Sequence, residues 1–100
     1  MAVAFIQEFP IVSGETTNYD AIDAELDARN NPPDGLILHT AGFDHDAGVF
    51  RVFDVWSDAA SAGRFYEGQV APLVAKVFAN DPEAAPPSRE ASYELHNTIP

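Results

Sequence analysis

The chain has 100 residues, with 16 Asp and Glu against 5 Lys and Arg and a formal net charge of −11; that length supports one domain, spanning 1–100, with one core. The few cations run singly from Arg29 to Arg89, which leaves no basic stripe for nucleic acid or for an anionic lipid surface. With no Cys at all, disulfides, thiolate metal sites and a Cys nucleophile are excluded.

Residues Val3 to Phe9 read as a first strand, with Val3, Phe5 and Phe9 on one parity and Ala4 and Ile6 on the other. The N-terminus lacks a basic region ahead of its apolar run, and no stretch approaches the ~20 apolar residues of a membrane span, so a cytoplasmic protein is expected. Thr17 to Asn30 is predicted helical, because Tyr19, Ile22 and Leu26 recur at helical spacing. Thr16 or Thr17 is placed to cap it, and Asn30-Asn31-Pro32-Pro33 to stop it. Leu36 to Phe43 and Val49 to Trp56 are two strands rich in apolar residues. The link His45 to Gly48 joins them as a hairpin, with Gly48 free to take positive φ.

Ser57 or Asp58 then caps a helix whose stripe is Ala62, Tyr66, Val70, Leu73 and Val77. Pro72 divides it: a helix to about Ala71, then a short one with Pro72 in its first turn, where the missing N–H costs nothing. Arg89 to Ile99 is a last strand, with Ala91, Tyr93 and Leu95 on its apolar parity. Pro10 to Gly14 and Asn80 to Pro87 read as connections. The order β-α-β-β-α-β is the ferredoxin-like plan, an α+β fold with an antiparallel four-stranded sheet and both helices on one face.

Two helices cover one side of such a sheet, yet the second and third strands are apolar on both parities: Leu36 and Leu38 but also Ile37, Ala41 and Phe43; Phe50, Val52 and Trp56 but also Val49, Phe53 and Val55. An antiparallel sheet with one wet face should alternate cleanly. The second face therefore needs a cover, and a homodimer with twofold symmetry, sheet against sheet, is the most economical one.

Tyr19-Asp20-Ala21-Ile22, Pro33-Asp34-Gly35-Leu36-Ile37-Leu38-His39, Arg51-Val52-Phe53-Asp54-Val55-Trp56-Ser57 and Arg64-Phe65-Tyr66 together resemble the dimeric α+β barrel superfamily, nearest its antibiotic-biosynthesis-monooxygenase-like small proteins. The resemblance implies a homodimer whose two sheets enclose a barrel-like pocket. It also implies activities such as cofactor-independent oxidation or isomerisation of a small aromatic or apolar substrate, with a non-catalytic small-molecule-binding or stress-type homodimer as the alternative. Haem-degrading relatives ligate iron through a helical His, and neither predicted helix here contains one.

His39 shares a parity with Ile37, Ala41 and Phe43. If the hairpin closes on His45 to Gly48, Asp44 faces Val49, His39 faces Asp54 and Ile37 faces Trp56. An imidazole beside a carboxylate in an apolar cavity has a fixed tautomer and a raised pKa, suited to moving a proton on a phenol or enol; the same pair could equally be a hydrogen bond that pins the sheet. A slip of one residue would turn Asp54 to the other face. His39 and Asp54 are thus the candidate catalytic residues, with Trp56, Phe50, Arg51, Tyr93 and His96 as candidate substrate contacts. Trp56 is expected as core or pocket wall and Tyr66 as core. Arg51 is expected to pair with a carboxylate at the dimer edge or to clamp an anion, and Glu94 and His96 to line the pocket or face solvent. No metal or cofactor is expected: the His residues lack metal-ligand spacing, Asp44-x-Asp46-x-Gly48 does not continue as a calcium loop, and no nucleotide or nucleophile-elbow motif occurs.

Overall fold

A computed structural model describes residues 1–12, 14, 16–82 and 84–99; the expected connections at 10–14 and 80–87 fall partly outside them. The elements are β1 (Val3–Pro10), α1 (Thr17–Leu26), β2 (Leu36–Asp44), β3 (Val49–Trp56), α2 (Ala59–Phe65), a π-helical turn (Tyr66–Val70), α3 (Ala71–Asn80) and β4 (Arg89–Glu94). The strands form an antiparallel sheet in the order β2-β3-β1-β4, which is the ferredoxin-like arrangement expected. Among the described residues no helix is long and apolar enough to cross a membrane.

Local chemistry accounts for most boundaries. Thr16 accepts the first backbone bond of α1 from Asp20, and its hydroxyl donates to the Asp20 carboxylate. The helix ends at Leu26, four residues short of the predicted Asn30, because Asp27 turns into the left-handed region at φ 47°. Its carbonyl and carboxylate then collect the backbone and side-chain amides of Asn30 and Asn31. Asp58 caps α2 by accepting from the Ser61 N–H at 2.7 Å. Gly48, at φ 70°, closes the hairpin loop as expected.

Helical backbone continues past Pro72, which sits in the first turn of α3. The first piece ends at Phe65 rather than near Ala71, and a π turn joins the two, with the Ala71 N–H bonding the Tyr66 carbonyl. The wider turn absorbs the carbonyl that the proline ring would otherwise strike.

The hairpin register places Asp44 opposite Val49 and His39 opposite Asp54. It corrects one pairing: a bulge between Leu36 and Leu38 sets Leu36, not Ile37, across from Trp56. β4 is also shorter than predicted, ending at Glu94 instead of Ile99. Both helical layers lie on the face that carries Phe5, His39, Asp54 and Trp56. On it Trp56, fully buried, packs with Val3 and Ala62 against Phe5, Leu36, Phe65 and Tyr66.

Candidate functional site

That core fills only one end of the space between sheet and helices. Neither α1 nor α3 has a fully buried residue. The two helices instead roof a cavity of about 1120 Å³ whose walls include Phe5, Phe9, Ile22, Phe50, Val52 and Val74. Its volume matches or exceeds the ~300–1,000 Å³ of ordinary small-molecule sites. The cavity lies between the chain's sheet and its own helices.

One row across the sheet brings chemistry to the cavity wall. Phe5 on β1, Asp54 on β3 and His39 on β2 stand side by side in register, so their side chains point to the helix side together. The His39 Nδ1 bonds Asp54 Oδ1 at 2.5 Å. The helices complete the set: the Tyr66 hydroxyl donates to Asp54 Oδ2 at 2.5 Å, and the Tyr19 hydroxyl lies 2.5 Å from His39 Nε2. A continuous chain of hydrogen bonds thus runs from Tyr19 through His39 and Asp54 to Tyr66.

The electrostatics follow from the geometry. Asp54 is 3% exposed, and a carboxylate so buried needs the two donors it has. The bond to Asp54 raises the His39 pKa against the opposing pull of burial. Burial, then the Asp54 charge, pushes the Tyr66 hydroxyl far above its ordinary range; proximity to the Trp56 indole N–H acts the other way, although that N–H completes no hydrogen bond among the described residues. Burial also raises Tyr19, with help from the charges of Asp23, Asp54 and Asp20. Both phenols are therefore held in the protonated form.

Of the candidate contacts, Phe50 lines the cavity beside His39 and Asp54, and Trp56, fully buried, stands behind its wall. The structure does not bring Arg51, Tyr93 or His96 there. Arg51 lies on the opposite sheet face, its guanidinium held by Glu8 at 2.6 Å and Asp44 at 2.9 Å. Tyr93 pairs with Ala4 on that same face, and His96, like Glu94, is exposed near the C-terminus. The sequence pattern marks Tyr19 and Tyr66 only as helix-stripe residues. Their signal was available: a Tyr on the buried side of a helix needs a partner for its hydroxyl. Among the described residues no cluster of three or more His, Asp or Glu is arranged to hold a metal ion.

No protein-family model matches the chain, and no curated protein matches it in sequence. Solved structures do match its fold. A variant of SnoaB, a cofactor-independent oxygenase from Streptomyces nogalater, superposes with a TM-score of 0.66 at 18% identity, covering 99% of this chain and 97% of that one. A candidate antibiotic biosynthesis monooxygenase from Deinococcus radiodurans gives 0.69 at 11% identity, with 100% and 97% covered. The heme-degrading protein Rv3592 from Mycobacterium tuberculosis gives 0.64 at 12%, with both chains covered in full. The chain has the α+β fold of the antibiotic-biosynthesis-monooxygenase-like proteins, a fold that carries more than one activity.

Proposed function

We propose that this chain is a cofactor-independent oxygenase-type enzyme, working as a homodimer on a small aromatic substrate that carries a phenol or enol. The observation that carries this reading is the Tyr19–His39–Asp54–Tyr66 chain set in the wall of a largely apolar cavity. The fold shared with a cofactor-independent oxygenase supports it.

His39 serves as the proton acceptor. Asp54 fixes its tautomer and stabilises the imidazolium that forms, and Tyr66 holds the second oxygen of Asp54 in place. A phenol that gives up its proton is electron-rich enough to react with O₂. In the net reaction a ring C–H becomes C=O; one atom of O₂ enters the product, and the other leaves as water with the hydrogens of that C–H and of the phenol. Phe50 and Phe5 supply the apolar walls that would keep the substrate ring flat against the sheet and bulk water away.

The test is oxygen consumption by the purified protein over a panel of phenols. His39→Ala should reduce turnover by ~10²-fold or more, the usual contribution of a positioned acid–base group, while calorimetry still detects ligand in the cavity. Unchanged turnover would show that His39 handles no proton. Binding without oxygen uptake in the wild type would leave a small-molecule-binding protein.

A further inference from the structure

We infer that the ligand's hydroxyl is received by Tyr19 rather than by His39, making Tyr19 the group through which a proton leaves the substrate. This rests on the cavity being the binding site and identifies the chemistry that it recognises.

Proton counting along the chain carries the argument. With His39 neutral, the Tyr66 O–H donates to Asp54 Oδ2, the His39 Nδ1–H donates to Oδ1, and the Tyr19 O–H donates to Nε2. Every proton in the chain is then used, and each end of the imidazole is occupied. A substrate therefore has no open nitrogen on His39. In this neutral state, reached above the His39 midpoint, what the chain offers to the cavity is the remaining lone pair of the Tyr19 oxygen, an acceptor that calls for a donor on the ligand.

Of the neighbouring polar groups, Gln7 donates to Glu90 at 3.0 Å, Asn18 to Asp81 at 2.9 Å and Thr16 to Asp20 at 2.8 Å, whereas Tyr19 alone among them joins its oxygen to the His39–Asp54 pair. Tyr19 is held for the task by its surroundings. Its ring packs edge-on against Phe50 at 5.3 Å and lies parallel to the His39 ring at 6.1 Å.

When a phenol O–H binds the Tyr19 oxygen, one concerted shift moves the proton. The ligand's O–H bond breaks as its hydrogen joins Tyr19, and the original Tyr19 hydrogen passes to His39 Nε2. The products are a phenolate that accepts a bond from Tyr19 and an imidazolium paired with Asp54; the charges separate and the net charge is unchanged. Tyr19 never has to hold a negative charge, in keeping with the burial and the Asp23, Asp54 and Asp20 charges that oppose its ionisation. The corresponding methyl ether lacks the donor and gains none of this.

Calorimetric titration with 2-naphthol and with 2-methoxynaphthalene tests the assignment. Wild-type protein should prefer the naphthol by about tenfold, the worth of one well-made hydrogen bond. Tyr19→Phe keeps the ring between His39 and the cavity and should bind both probes with the affinity that the wild type shows for the ether. That retained ether affinity also reports an intact cavity. Equal wild-type affinities, or a naphthol preference that survives in Tyr19→Phe, would overturn the role of Tyr19 while leaving the cavity as the binding site. Failure of the wild type to bind either probe would overturn the cavity reading, and this inference with it.

Discussion

At the scale of single residues, the His39–Asp54 bond decides the behaviour of the site. His39 is partly exposed and Asp54 is not, with side-chain exposures of 37% and 5%. The imidazole can therefore exchange protons with the cavity through Tyr19 while its anchor stays dry. Folding raises the His39 pKa above the ordinary 6.5, through the Asp54 bond first. The folded chain thus holds this proton more tightly than the unfolded chain does. The stability linked to it is fully present below pH 6.5 and is lost as the pH rises through the folded-state midpoint. Replacing Asp54 by Asn removes the carboxylate's charge and leaves burial as the main opposing influence. The His39 midpoint, followed through its ring protons by NMR, should then drop to 6.5 or lower; a midpoint that stays raised would mean that Asp54 is not its cause. This pair was legible in the sequence because strand alternation and a loop of fixed length set the register. Its tyrosine partners were not, because they come from helices whose rotation and height over the sheet no strand pattern encodes.

At the scale of elements, the site depends on how the start of β2 is tied to the start of α2. Gly35 takes φ +87°, and a Cβ there would meet the Ser61 Cβ at 2.6 Å. Its carbonyl accepts the Ser57 N–H at 2.7 Å. This close approach fixes the end of β2 from which Leu36 and, past the bulge, His39 are launched. Gly35→Ala combines left-handed strain of about 1–2 kcal/mol with a clash that Ser61, inside the Asp58 cap, has little freedom to relieve. A loss of about 2–4 kcal/mol on denaturant unfolding is expected; a loss below 1 kcal/mol would show that the junction is soft. The same junction shows where pattern reading stops. The apolar run Leu36-Ile37-Leu38 has no polar residue to mark which side chain is doubled, so the bulge at Ile37 is invisible in it, and simple alternation mispairs Ile37 with Trp56. The π turn is similar. Pro72 announces a disturbance in the helix, but only the packed position of Tyr66 over Asp54 shows that the chain absorbs it by widening rather than breaking. Asp27, too, ends α1 through backbone conformation before the chain reaches Pro32 and Pro33.

At the scale of the whole molecule, the sheet has two faces of unlike purpose. The helix side holds the cavity. The other side carries Ala4, Ile6, Leu38, Phe53, Val55 and Tyr93, by the register of all four strands, and on it Leu38 and Tyr93 are each 48% exposed. β4 sharpens the contrast, since its polar residues Glu90, Ser92 and Glu94 face the helix side and its apolar parity faces outward. Of the charged groups on the outer face, Arg51 is neutralised by Glu8 and Asp44, and Arg89 lies 3.7 Å from Glu8. A second copy presenting the same apolar surface is the cover proposed for it. Because the cavity lies within one chain, the dimer would support the site by stiffening the sheet beneath it rather than by enclosing the ligand. Sedimentation should therefore find the wild type at twice the 10.8 kDa chain mass. Leu38→Glu sets a charge in the middle of the proposed contact without touching His39, Asp54 or either tyrosine. It should sediment as a monomer at micromolar concentration, since an unpaired buried charge costs several kcal/mol, and the monomer should still bind 2-naphthol, more weakly if the sheet loosens. A wild type that sediments at one chain mass would leave the outer face uncovered and remove the homodimer from the proposal, whereas a dimeric Leu38→Glu would place the contact elsewhere on the surface.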